Sequence, residues 1–130
     1  MAKENYTLET LEVYIIAEKL SDEIWALVTK WKPFERDTVG KQLTRAVDSI
    51  SANIAEGYGR FYYKESKVFY FFARGSLLES KSWIRKSLNR DLIKTETAEK
   101  IIEQLELIHT KLNAYIKFVS QSQKHKEQKS

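Results

Sequence analysis

The sequence predicts an all-α protein, an antiparallel up-down-up-down four-helix bundle. Apolar residues recur at steps of three and four in four successive segments, the spacing of one helix face. Strand-like alternation bounded by turn residues is absent. The 130 residues include only four glycines and one proline, too little punctuation for a chain of many short strands. Length and an apolar content of 42% bound the chain to one domain with one core. That domain is expected over 1–120, with a disordered polar tail at 121–130.

Helix 1 is expected from Leu8 to Trp31, because Val13, Ala17, Leu20, Ile24, Leu27 and Trp31 keep a 4-3-4-3-4 spacing. Tyr14, Trp25 and Val28 make a second, partial stripe beside it. Such a helix either meets another subunit or packs broadly within its own. Lys32-Pro33-Phe34 breaks the pattern, since proline disfavours helix in the residue before it and suits a helix start. Helix 2 begins there or a few residues later.

Val39, Leu43, Ala46, Ile50 and Ile54 form the inward stripe of helix 2. Asn53 falls on the same side, so its amide requires partners from a facing helix. Gly57 and Gly59 suit a left-handed turn that ends the helix near Gly57. Arg60-Phe61-Tyr62-Tyr63 is a short aromatic connection. Helix 3 follows from Lys64 to Leu88 with Val68, Phe71, Phe72, Gly75, Leu78 and Ile84 inward. Gly75 inside a helix costs about 1 kcal/mol against alanine, a cost that a closely approaching helix justifies. Ser76 beside it can donate to Asn53. Asn89-Arg90-Asp91 marks the next turn, and Thr95 or Asp91 can cap helix 4. Ile101, Leu105, Ile108, Leu112, Tyr115 and Val119 then form the cleanest seam in the chain. The final SQSQKHKEQKS has no apolar anchor and is expected to be solvated. Short connections between four such helices give the antiparallel order.

Gln42, Arg45, Ala46, Ser49, Ile50, Asn53, Ile54, Ala55, Glu56 and Gly57 read as Gln-x-x-Arg-Ala-x-x-Ser-Ile-x-x-Asn-Ile-Ala-Glu-Gly. A second block holds Lys64, Glu65, Phe69, Ala73, Gly75, Ser76 and Glu79. On these residues the chain resembles the bacterial four-helix-bundle proteins encoded by intervening sequences inside large-subunit ribosomal RNA genes, from roughly Leu11 to Val119. It departs from that pattern at Ser51, where proline is frequent, at Tyr62, where Ser or Thr usually caps the third helix, and at Ser80, in place of leucine. The resemblance implies an up-and-down bundle assembling into a homopentameric ring. It also implies a distant relationship to the accessory proteins of diversity-generating retroelements, which bind nucleic acid. It implies no settled biochemical activity.

With no cysteine, the chain has no disulfide, thiolate chemistry or cysteine zinc site, which fits the cytoplasm. MAKENYTLE lacks the apolar core of a signal peptide, and no run reaches the ~18 apolar residues of a membrane span. A soluble, unexported, cytoplasmic protein with no membrane partner is therefore expected.

Enzyme chemistry finds little support. Glu106 and His109 have the Glu-x-x-His spacing of di-iron bundles, but the other histidine, His125, lies in the tail and supplies no second copy. Both stand one position off the helix 4 seam, so a surface pair is expected and no metal or cofactor. No histidine accompanies the serines of the helix 2 to helix 3 region. Gly57-Tyr58-Gly59 lacks the lysine and strand context of a phosphate loop. Ser49, Asn53 and Glu56 lie on adjoining turns and either form a small polar site or are structural. In the second reading, which is favoured, Asn53 satisfies a facing helix through Ser76 while Glu56 pairs with Arg60.

Charge carries the binding signal. From Arg36 to Arg90 there are 11 basic and 5 acidic residues, a surplus of +6 within a net charge of +4. Lys67, Arg74 and Lys81 repeat every seven residues on one face of helix 3, with Arg85 close by. Such side chains stand roughly 10 Å apart along the axis and can meet successive phosphates. Lys41 and Arg45 extend the cationic surface onto helix 2. Arg60, Tyr62 and Tyr63 add a cation with rings that can stack on bases. Alternatively the stripe is a solvated face, or neutralises the acids of helices 1 and 4 (Glu12, Asp22, Glu23, Glu99, Glu103) within or between subunits. The expected function is a non-enzymatic homo-oligomeric bundle binding RNA or DNA backbones through helices 2 and 3. The alternative is a protein-interaction adaptor that never touches nucleic acid.

Overall fold

The computed structural model describes the backbone of residues 7–129 and the side chains of 7–122. A 3-10 turn at Leu8–Thr10 precedes four long helices: α1 (Glu12–Val28), α2 (Lys41–Tyr58), α3 (Tyr63–Asn89) and α4 (Thr95–Lys129). No strand occurs among the described residues. α2 packs on α1 and α3, while α4 packs on α3 and α1. All four helices share one core, in which Leu20, Ile24, Leu43, Ile50, Ile54, Leu77, Ile84, Leu105, Ile108 and Leu112 are fully buried. Each such side chain contributes about 1.5–3 kcal/mol through its removal from water.

The α2 stripe is buried as its spacing predicts, at Val39, Leu43, Ala46, Ile50 and Ile54. α1 ends earlier than Trp31: after Val28 the amides of Lys30 and Trp31 bond three residues back, to Leu27 and Val28. Lys32 is extended (φ −64°, ψ 154°), and Pro33 opens a helical turn over Pro33–Glu35. A π-helical turn at Arg36–Gly40 then leads into α2.

Helix 3 is rotated from expectation. Its buried face is Ser66, Tyr70, Ala73, Leu77, Ser80, Ile84 and Ser87, a 4-3-4-3-4-3 seam. Val68, Phe71, Phe72 and Leu78 are instead 42–56% exposed. The reason is that serine is acceptable in a helical core when its hydroxyl donates back to its own helix. Ser66 bonds the Tyr62 carbonyl at 3.2 Å, Ser80 that of Ser76 at 2.8 Å, and Ser87 that of Trp83 at 2.8 Å. Gly75 is likewise exposed, and a β-carbon there would meet nothing within 4 Å, so no helix approaches it.

Gly57 does not end α2 with a left-handed turn. It is buried inside the helix, and Gly59 at the end keeps a right-handed φ of −76°. The left-handed residue is Asp91, at φ 60°. The Leu92 amide bonds the Ser87 carbonyl at 2.8 Å and the Asp91 amide that of Leu88 at 3.1 Å, which closes α3 in a Schellman motif. α4 starts with Thr95 as its first helical residue, so neither Thr95 nor Asp91 occupies the cap position. Its seam runs through Ile101, Leu105, Ile108 and Leu112 and ends on Ile116, leaving Tyr115 and Val119 half-buried. The backbone of 121–129, expected as a disordered tail, continues α4, since each added residue of an existing helix needs no new nucleus.

Candidate nucleic-acid interface

Lys67, Arg74 and Lys81 all lie half-buried on one side of α3, and Arg85 is exposed one turn beyond Lys81. Arg74 and Lys81 border the groove towards α4 instead of standing fully outward. Arg74 donates to Oδ1 of Asn113 on α4 at 2.9 Å and stacks on the Phe71 ring at 4.7 Å. Lys67 sits 6.0 Å over the Tyr63 ring. His109 on α4 faces the same groove: burial, then the charges of Lys81 and Arg74, push its pKa down. Among the described residues no ion pair holds Lys67, Arg74, Lys81 or Arg85. The acids offered as neutralisers are engaged elsewhere at two positions, with Glu12 pairing with Lys111 at 2.8 Å and Glu23 accepting from Gln104 at 2.9 Å.

The α2 cations differ. Arg45 is ion-paired with Glu79 across the α2 and α3 interface and donates to Gln42 at 3.1 Å. The Trp83 indole donates to the same Glu79 carboxylate at 3.1 Å. Burial pushes Glu79 up, but the hydrogen bonds from Trp83 and Arg45 and the Arg45 charge outweigh it, and the carboxyl sits below its ordinary value. Arg45 is therefore a structural bridge first. Lys41 is exposed beside a groove of about 680 Å³ lined also by Phe34, Trp83 and Arg90.

Arg60 pairs with Glu56 at 3.1 Å, as the four-residue spacing predicts, and stacks on Phe69 at 4.8 Å. Tyr62 occupies the cap position of α3 with extended backbone and no side-chain capping bond. Nearby, Gly57, Arg60, Phe61, Tyr63, Tyr115 and Phe118 line a pocket of about 210 Å³. Phe61 and Phe118 are separated by nearly half the chain, and spacing alone carries no signal that joins them.

The polar residues of α2 form a relay with a different centre from the one expected. Asn53 donates to the carbonyl and hydroxyl of Ser49, at 2.8 and 2.9 Å, and Ser76 donates to the same hydroxyl at 2.8 Å. Ser49 thus joins α2 to α3, and Asn53 reaches Ser76 only through it. Ser51, in place of proline, is buried and donates to Glu18 of α1 at 2.7 Å. Among the described residues, no three of the His, Asp and Glu side chains gather to hold a metal, and no helix is long and apolar enough to cross a membrane.

Residues 9–114 match the family model of the 23S rRNA-intervening sequence protein. The fold is similar to that of a crystal structure from Bacteroides thetaiotaomicron, a protein with unknown function from the S23 ribosomal protein family. That likeness has a TM-score of 0.73 at 22% identity, over 81% of this chain and 98% of that one. No curated protein matches the sequence.

Proposed function

The chain belongs to the 23S rRNA-intervening sequence protein family, and from that premise we propose that it is a non-enzymatic, self-associating antiparallel bundle that binds nucleic-acid backbones. The observation that carries this reading is the row of cations on α3, Lys67, Arg74, Lys81 and Arg85, held in no ion pair among the described residues. Desolvated or unneutralised cations in a row favour a polyanion, whose bound counterions are released on contact. Lys41 and Arg60 extend the row, while Arg45 supports it through Glu79. The working compartment in this reading is the cytoplasm.

Self-association, as a homopentameric ring in the resemblance, is supported by Val68, Phe71, Phe72 and Leu78, an exposed apolar strip along α3. A ring would present the cations in several copies and convert weak contacts into avid ones. The same strip favours a second reading, a protein-interaction adaptor in which a partner chain covers α3.

Titration of labelled single- and double-stranded RNA and DNA at rising salt tests the first reading. Affinity should fall steeply with salt, and the Lys67→Glu, Arg74→Glu double variant should abolish binding while light scattering shows an unchanged oligomer. No binding at low salt leaves the adaptor.

A further inference from the structure

We propose that the pocket between the α2–α3 connection and α4 takes one unpaired nucleobase, so that the strand engaged by the cationic row is single-stranded; this rests on the reading above. The pocket's walls are aromatic: Phe61 and Tyr63 from the connection and the start of α3, Tyr115 and Phe118 from α4. Phe61 is 83% exposed and Phe118 60% exposed, so two rings stand open to solvent at its rim. The volume of about 210 Å³ is below the roughly 300–1,000 Å³ of a site for a whole small molecule. It suits one planar ring system presented by something larger.

Charge selects among such rings. Among the described residues no carboxylate lines the pocket, and Arg60 does, fixed in place by its pair with Glu56 and its stack on Phe69. An aromatic site for a quaternary ammonium would not carry an arginine in its wall. An uncharged ring tethered to an anion is the complementary ligand. The anion has a second seat, because Lys67, the first member of the cationic row, lies over the Tyr63 ring that lines the pocket. A phosphate at Lys67 thus directs its own base towards Tyr63. A paired base has both faces covered and its edge occupied, so only an unpaired one enters a concave site.

The test uses the full chain and fluorescence anisotropy at one salt concentration. The probes are a labelled single strand, its duplex, and the same strand with abasic sites in place of bases. The single strand is expected to bind about tenfold or more tightly than either comparison probe. Phe61→Ala with Phe118→Ala should erase that preference and leave duplex affinity within about twofold, with circular dichroism and light scattering unchanged. The abasic arm needs no variant and stands if the double variant fails to fold. Equal affinity for single strand and duplex, or for intact and abasic strands, overturns the pocket assignment and leaves backbone binding intact. No binding of any probe removes both. A phenylalanine-containing peptide that occupies the pocket while no strand does would make it a protein-docking site and overturn the proposal.

Discussion

Gly57 of α2 lies against the ring of Tyr70 on α3, so that a β-carbon added to the glycine would stand 2.4 Å from the ring's Cε1. Tyr70 is 1% exposed and cannot swing clear. Gly57→Ala is therefore expected to destabilise the fold by about 1–3 kcal/mol, the usual cost of an overpacked core. Gly75→Ala should act in the opposite sense, since nothing lies within 4 Å of its added carbon. Alanine there gains helix propensity of about 0.8–1 kcal/mol. Urea melts of the two variants check both signs, and equal signs would contradict the packing.

Ser49 is expected to matter more than Asn53. Its hydroxyl accepts from both Asn53 and Ser76, so Ser49→Ala takes the acceptor from Ser76 and leaves Asn53 only its bond to the Ser49 carbonyl, while Asn53→Ala leaves the Ser49 and Ser76 hydroxyls bonded to each other. The expected loss is about 1–3 kcal/mol for Ser49→Ala and smaller for Asn53→Ala. Denaturation midpoints that rank the other way would restore Asn53 as the centre of the relay.

Helix existence was legible because each segment carries a period that strands cannot. The α2 stripe was right residue by residue, since its inward side is aliphatic and its outward side polar. α3 misled because both of its faces carry large or small non-charged residues. Counting apolar side chains selects Phe71, Phe72 and Leu78, while burial selects Tyr70, Ala73, Leu77 and three serines that bond their own backbone. The seven-residue repeat of Lys67, Arg74 and Lys81 was readable. The closeness of Arg74 and Lys81 to His109, and of Arg74 to Asn113, was not, because it depends on how α4 is rotated against α3.

Asp91 holds a left-handed conformation, φ 60°, at the C-terminal end of α3. A side chain pays for that region where glycine does not, and a carboxylate beside the helix's free carbonyls adds repulsion. Asp91→Gly is expected to stabilise the protein by about 0.5–1 kcal/mol. A melting temperature that falls instead would mean that the carboxylate has a partner worth more than the strain.

Asp48 bears on pH. Burial raises its pKa, a hydrogen bond from Ser21 partly offsets this, and the charges of Glu18 and Asp22 raise it further. A carboxyl whose native value is raised contributes its full stability below the unfolded value, and that contribution is lost as pH rises through the native one. Asp48→Asn should therefore raise the melting temperature at pH 7, by about 1–2 °C for so partly screened a group. The difference should vanish near pH 3. A gain that persists in acid would point to a cause other than charge.

His109 reports on the cationic groove. Burial, Lys81 and Arg74 depress its native pKa, so its neutral form is favoured in the fold. Stability from this group is present above the unfolded value of about 6.5 and is lost as pH falls through it towards the native one. A polyanion lying on Lys81 and Arg74 cancels the field that disfavours the imidazolium, so binding must draw the pKa upward and take up a proton. Linkage then requires tighter binding at pH 6 than at pH 8, by a few fold at ordinary salt. Lys81→Ala should raise the free protein's His109 pKa and shrink that pH dependence. Proton NMR of the imidazole, assigned by the signal lost in His109→Gln, checks this. A His109 titration unmoved by saturating polyanion would place the bound strand away from α3, whatever its affinity.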